Sequence, residues 1–222
     1  TVLDTGPTSG TLELAEDGTF VYRPAADSFG RDSFTYRLSD DDGGAFPEPV
    51  TVTIDVLSVN DPPVIDIVSD ALSYDEDVGV VEVPGFLLGV SPGPANESRQ
   101  PVTFPRIVAV DRPELFVEGP FLAEDALVFQ AAPDAFGTAT VTLEAVDQGG
   151  TANGGQDRGT RTFTITLNAV NDVPTLPAEL VYDVIEDGTF TGTLPVSDPD
   201  AAFVFLWIAF NSAYADESDI EQ

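Results

Sequence analysis

Apolar and polar residues alternate in short runs along most of the chain. Residues 33–38 place Phe34, Tyr36 and Leu38 on one face. Residues 50–56 do the same with Val50, Val52, Ile54 and Val56, and residues 162–167 with Phe163, Ile165 and Leu167. A period of two with threonine on the opposite face marks a strand with one buried side. No apolar period of helical type runs for a convincing length, and 19 Gly and 18 Pro stand between the runs, where they punctuate turns. The pattern predicts an all-β chain with frequent turns.

The pattern also repeats. Asp27-Ser28-Phe29-Gly30 matches Asp134-Ala135-Phe136-Gly137 at an offset of 107, which carries Phe34, Tyr36 and Leu38 onto Val141, Leu143 and Ala145, and Asp40 onto Asp147. Val59-Asn60-Asp61-Pro62-Pro63 matches Val170-Asn171-Asp172-Val173-Pro174 at 111, and the added residues fit a longer loop at 149–159. Glu76-Asp77 returns as Glu186-Asp187 at 110. A repeat of about 110 residues is the size of a β-sandwich of seven or so strands. The chain therefore divides into the C-terminal part of one repeat (1–61), a complete repeat (62–172) and the N-terminal part of a third (173–222), with 201–222 atypical. Truncated sandwiches leave strand edges unpaired. The two Asp-x-Phe-Gly segments read as corner turns around a buried Phe, because glycine supplies the unusual backbone angle. Phe20, Tyr22, Phe34 and Tyr36 read as core.

Composition narrows the chemistry. The chain has 222 residues, 39 Asp plus Glu against 8 Arg and no Lys, a formal charge of −31, and 42% apolar residues. That apolar share is enough to build a core despite the charge. The charge repels nucleic acid and anionic lipid and favours cations. With no Cys and no His, thiolate and imidazole metal sites, disulfides, and Cys or Ser-His-Asp nucleophiles are excluded. Without Lys there is neither a phosphate-binding loop lysine nor a Schiff base. The longest apolar run, residues 201–210, is about half of a membrane-spanning helix. No Met and no leader open the chain, so it reads as part of a longer polypeptide.

Asp17-Gly18-Thr19-Phe20-Val21-Tyr22, the run from Phe29 to Tyr36, Ser39-Asp40 and Val59-Asn60-Asp61-Pro62-Pro63 resemble the tandem cadherin-like and immunoglobulin-like repeats of large bacterial surface adhesins. Repeat two resembles a sister type through Gly93-Pro94-Ala95-Asn96-Glu97, Asp147-Gln148-Gly149-Gly150 and Val170-Asn171-Asp172-Val173-Pro174. Repeat three opens in the same manner with Glu186-Asp187-Gly188-Thr189 and Val196-Ser197-Asp198-Pro199-Asp200. The likeness ends at Ala201, where Phe203 to Phe210 are apolar throughout. It implies tandem β-sandwiches, an extracellular or cell-surface setting, and a calcium-stabilised spacer or adhesion role without catalysis.

Cadherin-type junctions gather oxygens from an early acid, an Asn-Asp linker and an Asp-x-Asp loop in the next repeat. By that resemblance the second junction offers Glu76, Asp77, Asn171, Asp172, Asp198 and Asp200 to Ca²⁺. The first offers Asn60 and Asp61 only and is the weaker, since Ser91-Pro92-Gly93 stands where the Asp-x-Asp would be. Calcium takes six to eight oxygen ligands, whereas Asn-Asp-Pro can instead form a turn with solvated acids. Asp40-Asp41-Asp42-Gly43-Gly44 fails as an EF-hand, because its twelfth residue is Thr51 rather than Glu. With Asp147-Gln148-Gly149-Gly150 it reads as a hairpin loop with solvated acids. Residues 149–159 read as a flexible loop. A glycosidase would need paired carboxylates in a cleft with aromatic platforms, and the aromatic residues lie in core strands. The alternative to a spacer is a carbohydrate- or protein-binding accessory module of a secreted enzyme. Partners are neighbouring repeats of the same polypeptide and a cell-surface glycan or protein. A weaker reading is homophilic adhesion through exposed edges or the stretch from Phe203 to Phe210.

Overall fold

The computed structural model describes residues 1–38, 44, 48–175, 177–183, 189–195 and 197–198. The expectations for residues 39–43, Glu186, Asp187, Asp200 and Phe203 to Phe210 lie outside the described residues. Repeat one contributes β1 (Val2–Thr5), β2 (Gly10–Leu14), β3 (Phe20–Pro24), β4 (Gly30–Arg37) and β5 (Val50–Val56). Repeat two contributes β6 (Val64–Ile67), β7 (Ala71–Asp75), β8 (Val80–Val83), β9 (Leu87–Ser91), β10 (Arg106–Val110), β11 (Phe116–Ala123), β12 (Ala126–Ala131), β13 (Gly137–Val146) and β14 (Arg158–Asn168). The helical segments among the described residues are three single 3₁₀ turns. The all-β fold expected from the alternation is the fold observed.

The β13–β14 hairpin is the spine of repeat two. Its register sets Ala139 opposite Ile165 and Val141 opposite Phe163, and all four are buried. The intervening pairs, Thr138–Thr166, Thr140–Thr164 and Thr142–Thr162, face outward. This is the period-two pattern made physical: one face is dry, and the other is hydroxylated and β-branched. β10 and β7 extend the sheet in the order β10-β13-β14-β7, and a second sheet, β11-β12-β8, packs over it. β6 pairs with β9 alone. Phe86, Phe129 and Phe163 are each no more than 2% exposed between these sheets. Phe86 meets Phe163 at 4.8 Å, while Tyr74 and Phe116 meet Phe129 edge-on at 5.5 and 5.6 Å. Each buried phenyl contributes roughly 1.5–3 kcal/mol by burial alone.

Repeat one reproduces part of this plan. Its sheet order β1-β4-β5 parallels β10-β13-β14, and the β2–β3 hairpin parallels β11-β12. Its one fully buried apolar side chain among the described residues is Phe34, met edge-on by Phe20 at 5.2 Å. A polar clasp compensates. The buried Asp32 carboxylate accepts from Thr8 N at 2.9 Å, Thr8 Oγ1 at 3.1 Å, and Ser9 N, Ser33 N and Tyr22 OH at 2.9 Å. Those donors, the Thr8 amide foremost, hold its pKa far below the usual carboxylate range.

Three readings are corrected. Phe29 and Phe136 are 55% and 49% exposed rather than buried. Asp27 and Asp134 take φ of 55° and 54°, and Gly30 and Gly137 φ of 100° and 133°. Left-handed residues at both ends break the alternation that would have turned the phenyl inward. The corners are real, but their Phe points out. Phe20, read as core, is 46% exposed, because no strand among the described residues covers the far side of its hairpin.

Phe129→Ala is expected to cost about 3–5 kcal/mol in denaturant unfolding. The depressed pKa of Asp32 means that its ionised form favours the fold. Its contribution is complete above the unfolded pKa, about 3.9, and is lost as pH falls from there through the folded value. Amide exchange during acidification should therefore show β2–β4 opening before β13–β14. Asp32→Asn should weaken repeat one at neutral pH and remove that acid sensitivity.

Candidate metal centres at the junctions

The first junction is built from side chains that the linker buries. Asn60 follows β5 and is 7% exposed. Its Nδ2 donates to Asp147 Oδ1 at 2.9 Å and to the Gln156 carbonyl at 2.7 Å, and its own carbonyl accepts from Gln156 N at 2.9 Å. Asp147, at the end of β13, is 4% exposed and also accepts from Gly149 N at 2.8 Å. It is thus not the solvated hairpin acid that the sequence suggested: the linker returns over it and removes its water. Nor is the 149–159 loop detached. Asn153 Nδ2 donates to the Ser58 carbonyl at 2.9 Å, and Gly155 is buried against Asn60.

Asp61, the next residue, turns to the other side. Its amide donates to both oxygens of Glu97, at 3.2 and 3.3 Å. Glu97 sits in the 3₁₀ turn Ala95–Glu97 and is 4% exposed. Burial pushes its pKa up, and the carboxylates of Asp61, Asp147 and Asp27 push the same way, against the lowering effect of the Asp61 amide. Three buried oxygens here have no hydrogen-bond donor: Asn60 Oδ1, Asp147 Oδ2 and Gln100 Oε1. An unsatisfied buried acceptor costs about 1–3 kcal/mol, and more when charged. A cavity of about 270 Å³ opens alongside, walled by Asp27 and Phe29 of repeat one, Leu57 and Val59 of the linker, and Asp61 and Asn96 of repeat two. The outward Phe29 therefore lies against the linker.

The second junction repeats the scheme. Carboxylate oxygens of Asp77, Asp134 and Asp172 lie within 4.8 Å of one another. Asp77 and Asp134 are exposed with φ of 61° and 54°, and the Asp134 amide approaches Asp77 Oδ1 at 3.5 Å. Glu76 is 2% exposed. Its Oε1 accepts from Val170 N at 2.9 Å, and its Oε2 is buried without a donor. Asn171 is exposed and turns its Nδ2 to the Asp172 carbonyl at 2.9 Å. Asp198 is half-buried and stands outside the three-carboxylate group.

Residues 1–57 match the family model of the bacterial cadherin-like domain. This stretch is a bacterial cadherin-like domain segment. The chain also resembles two protocadherin fragments of known structure. Mouse protocadherin-24 EC1-3 is 14% identical with a TM-score of 0.38, over 74% of this chain and 58% of that one. Human mucin-like protocadherin EC1-2 is 16% identical with a TM-score of 0.35, over 76% and 82%. The chain thus spans little more than half the length of the first. No curated protein matches it.

In this cadherin-like chain, two corner acids join the sets read from sequence. Asp134 completes the second junction, and Asp27, its counterpart at offset 107, walls the first. Their signal was the repeated Asp-x-Phe-Gly itself, which had been assigned only to turning. Asp147, Glu97 and Gln100 are the other additions, carried by the Asp-Gln-Gly-Gly and Ala-Asn-Glu segments.

A Cβ added at Gly149 would collide with Asn60 Oδ1. Gly149→Ala should therefore displace Asn60 and destabilise repeat two, visible as a lowered Tm and a shifted Asn60 side-chain amide resonance. Gly150→Ala removes a glycine with φ of 77° and no neighbour within 4 Å. It should cost only the local backbone strain and leave the Asn60 resonance in place.

Proposed function

We propose that the chain is an extracellular segment of a bacterial surface or secreted polypeptide, a non-catalytic spacer or adhesion unit whose junctions are ordered by calcium. The observation that carries this reading is the first junction's set of buried, donor-less oxygens beside Asp61 and Glu97. Carboxylate and carboxamide oxygens suit a hard cation that accepts six to eight such ligands, and the chain has no sulfur or imidazole donor to favour a softer one. Asn60, Asp61, Glu97, Gln100 and Asp147 would hold an ion at the first junction, with Asp27 facing it from repeat one. Asp77, Asp134 and Asp172 would do so at the second, with Glu76 beside them. This reverses the ranking read from sequence, where the first junction was the weaker.

The role of the ion is mechanical. Two carboxylates 4 Å apart repel by about 4 kcal/mol at an effective dielectric of 20. A divalent ion converts that repulsion into attraction and fixes the linker against both repeats. Pro62 and Pro63 stiffen the same linker through fixed φ.

The carbohydrate-binding alternative finds less support. A groove of about 460 Å³ runs along the threonine face beside Asp70 and Arg161. Those two side chains are already paired at 2.6 Å, and Phe163, the aromatic residue lining the groove, is buried. Among the described residues the groove has no exposed aromatic platform.

Calcium should raise Tm selectively over magnesium at equal concentration in about 150 mM NaCl, since it would bind the native state only. Asp61→Asn with Glu97→Gln, and separately Asp77→Asn with Asp172→Asn, should each remove part of that rise. Equal action of both ions, or a full calcium response in both variants, would sink the reading. Glycan retention by calcium-free protein on an array would favour the alternative.

A further inference from the structure

The two end segments of the chain are complementary halves of one sandwich. Repeat one holds the counterparts of β10 to β14. In repeat two those sheets continue: β14 pairs in parallel with β7, from Thr164–Ala71 to Asn168–Asp75, and β12 pairs antiparallel with β8. In repeat one no strand among the described residues covers the outer edge of β5 or of β3. The result is an open apolar cleft of about 270 Å³, lined by Leu14, Phe20, Phe34, Tyr36, Leu38 and Val52, with Phe20 and Leu38 46% and 45% exposed.

Repeat three holds the missing half. Thr175 and Ser197 form an antiparallel bridge. They correspond to Val64 and Ser91, which pair where β6 meets β9. Tyr182, the counterpart of Leu72 at offset 110, stacks on Phe190 at 4.9 Å and donates to the Thr193 carbonyl at 2.6 Å. Val181, Tyr182, Phe190 and Leu194 are nevertheless 76%, 42%, 45% and 46% exposed. One end of the chain thus has an uncovered cleft with two free strand edges, and the other an uncovered apolar ribbon of the type that fills such a cleft.

One copy cannot close on itself. β14 has 11 residues and places the two junctions about 33 Å apart at roughly 3.3 Å per residue, and the ribbon leaves from the far one. We propose that residues 177–183 and 189–195 of a second copy dock into the cleft of repeat one, pairing in parallel along β5 and antiparallel along β3, as β7 and β8 do in repeat two. The contact is head-to-tail, so it builds open chains or rings rather than closed two-fold dimers. It goes beyond the spacer reading and does not depend on calcium.

Two variants of the full chain test it by sedimentation and native mass spectrometry. Val52→Asp spoils the cleft, and Phe190→Asp spoils the ribbon. The work is done in about 150 mM NaCl, where the screening length is about 8 Å and the mutual repulsion of two copies is reduced. Amide exchange in β13–β14 reports that repeat two stays folded. Wild-type protein should form a concentration-dependent ladder of oligomers, and each variant alone should associate at least tenfold more weakly. An equimolar mixture should give one species, a 1:1 heterodimer, because it holds one intact cleft and one intact ribbon. A monomeric wild type, variants that associate like wild type, or a mixture that stays monomeric would each overturn the proposal.

Discussion

Buried oxygen at the ends of the sandwich is the constraint to which the rest of the structure answers. Asn60 and Asp147 lie at the same end of repeat two, and their mutual hydrogen bond ties the linker to the end of β13. That bond satisfies one oxygen of Asp147 and leaves the other, with Asn60 Oδ1 and Gln100 Oε1, facing no donor. Glu97 and Asp61 add carboxylates to the same volume. A backbone that brings these groups together from strand, turn and linker has a cost that hydrogen bonds within the chain do not fully offset. The interior has to be firm enough to bear it.

Repeat two has that interior. Its phenyl rings interlock between two sheets, and the β13–β14 hairpin runs unbroken through ten opposed residue pairs. Repeat one rests on Phe34, Phe20 and the Asp32 clasp. Stability is therefore distributed unevenly along the chain, with the dense middle holding both junctions in place. Each junction is made partly of atoms fixed to that middle and partly of a corner or linker residue that is less constrained. Such an arrangement suits an ion-ordered hinge: a rigid half-site presents its oxygens, and a looser half-site closes on them.

The uneven packing also gives the ends their character. A sandwich half with an open cleft and a ribbon with exposed aromatic residues are both costly in water. They become a stable pair only when strand edges and apolar faces meet together, because main-chain pairing and side-chain burial are then satisfied at once.

The sequence by itself determined the strands and the repeat. Alternation in residues 162–167 put Phe163, Ile165 and Leu167 inward, as observed, because a period of two leaves a half-buried strand one choice of face. The offsets near 110 aligned linkers and corners, since insertions fall in loops while strand lengths hold. The linker acids Asp61 and Asp172 were legible for the same reason. Tertiary structure decided which oxygens lose water. Asp147 reads as a hairpin acid until the linker folds over it, and Asp134 as a turn residue until Asp77 and Asp172 arrive from 57 and 38 residues away in sequence. The outward turn of Phe29 and Phe136 was likewise hidden, because it depends on left-handed backbone at Asp27 and Asp134. Local pattern specifies which way a strand residue faces; desolvation of a carboxylate depends on what packs over it, and those groups come from distant parts of the chain.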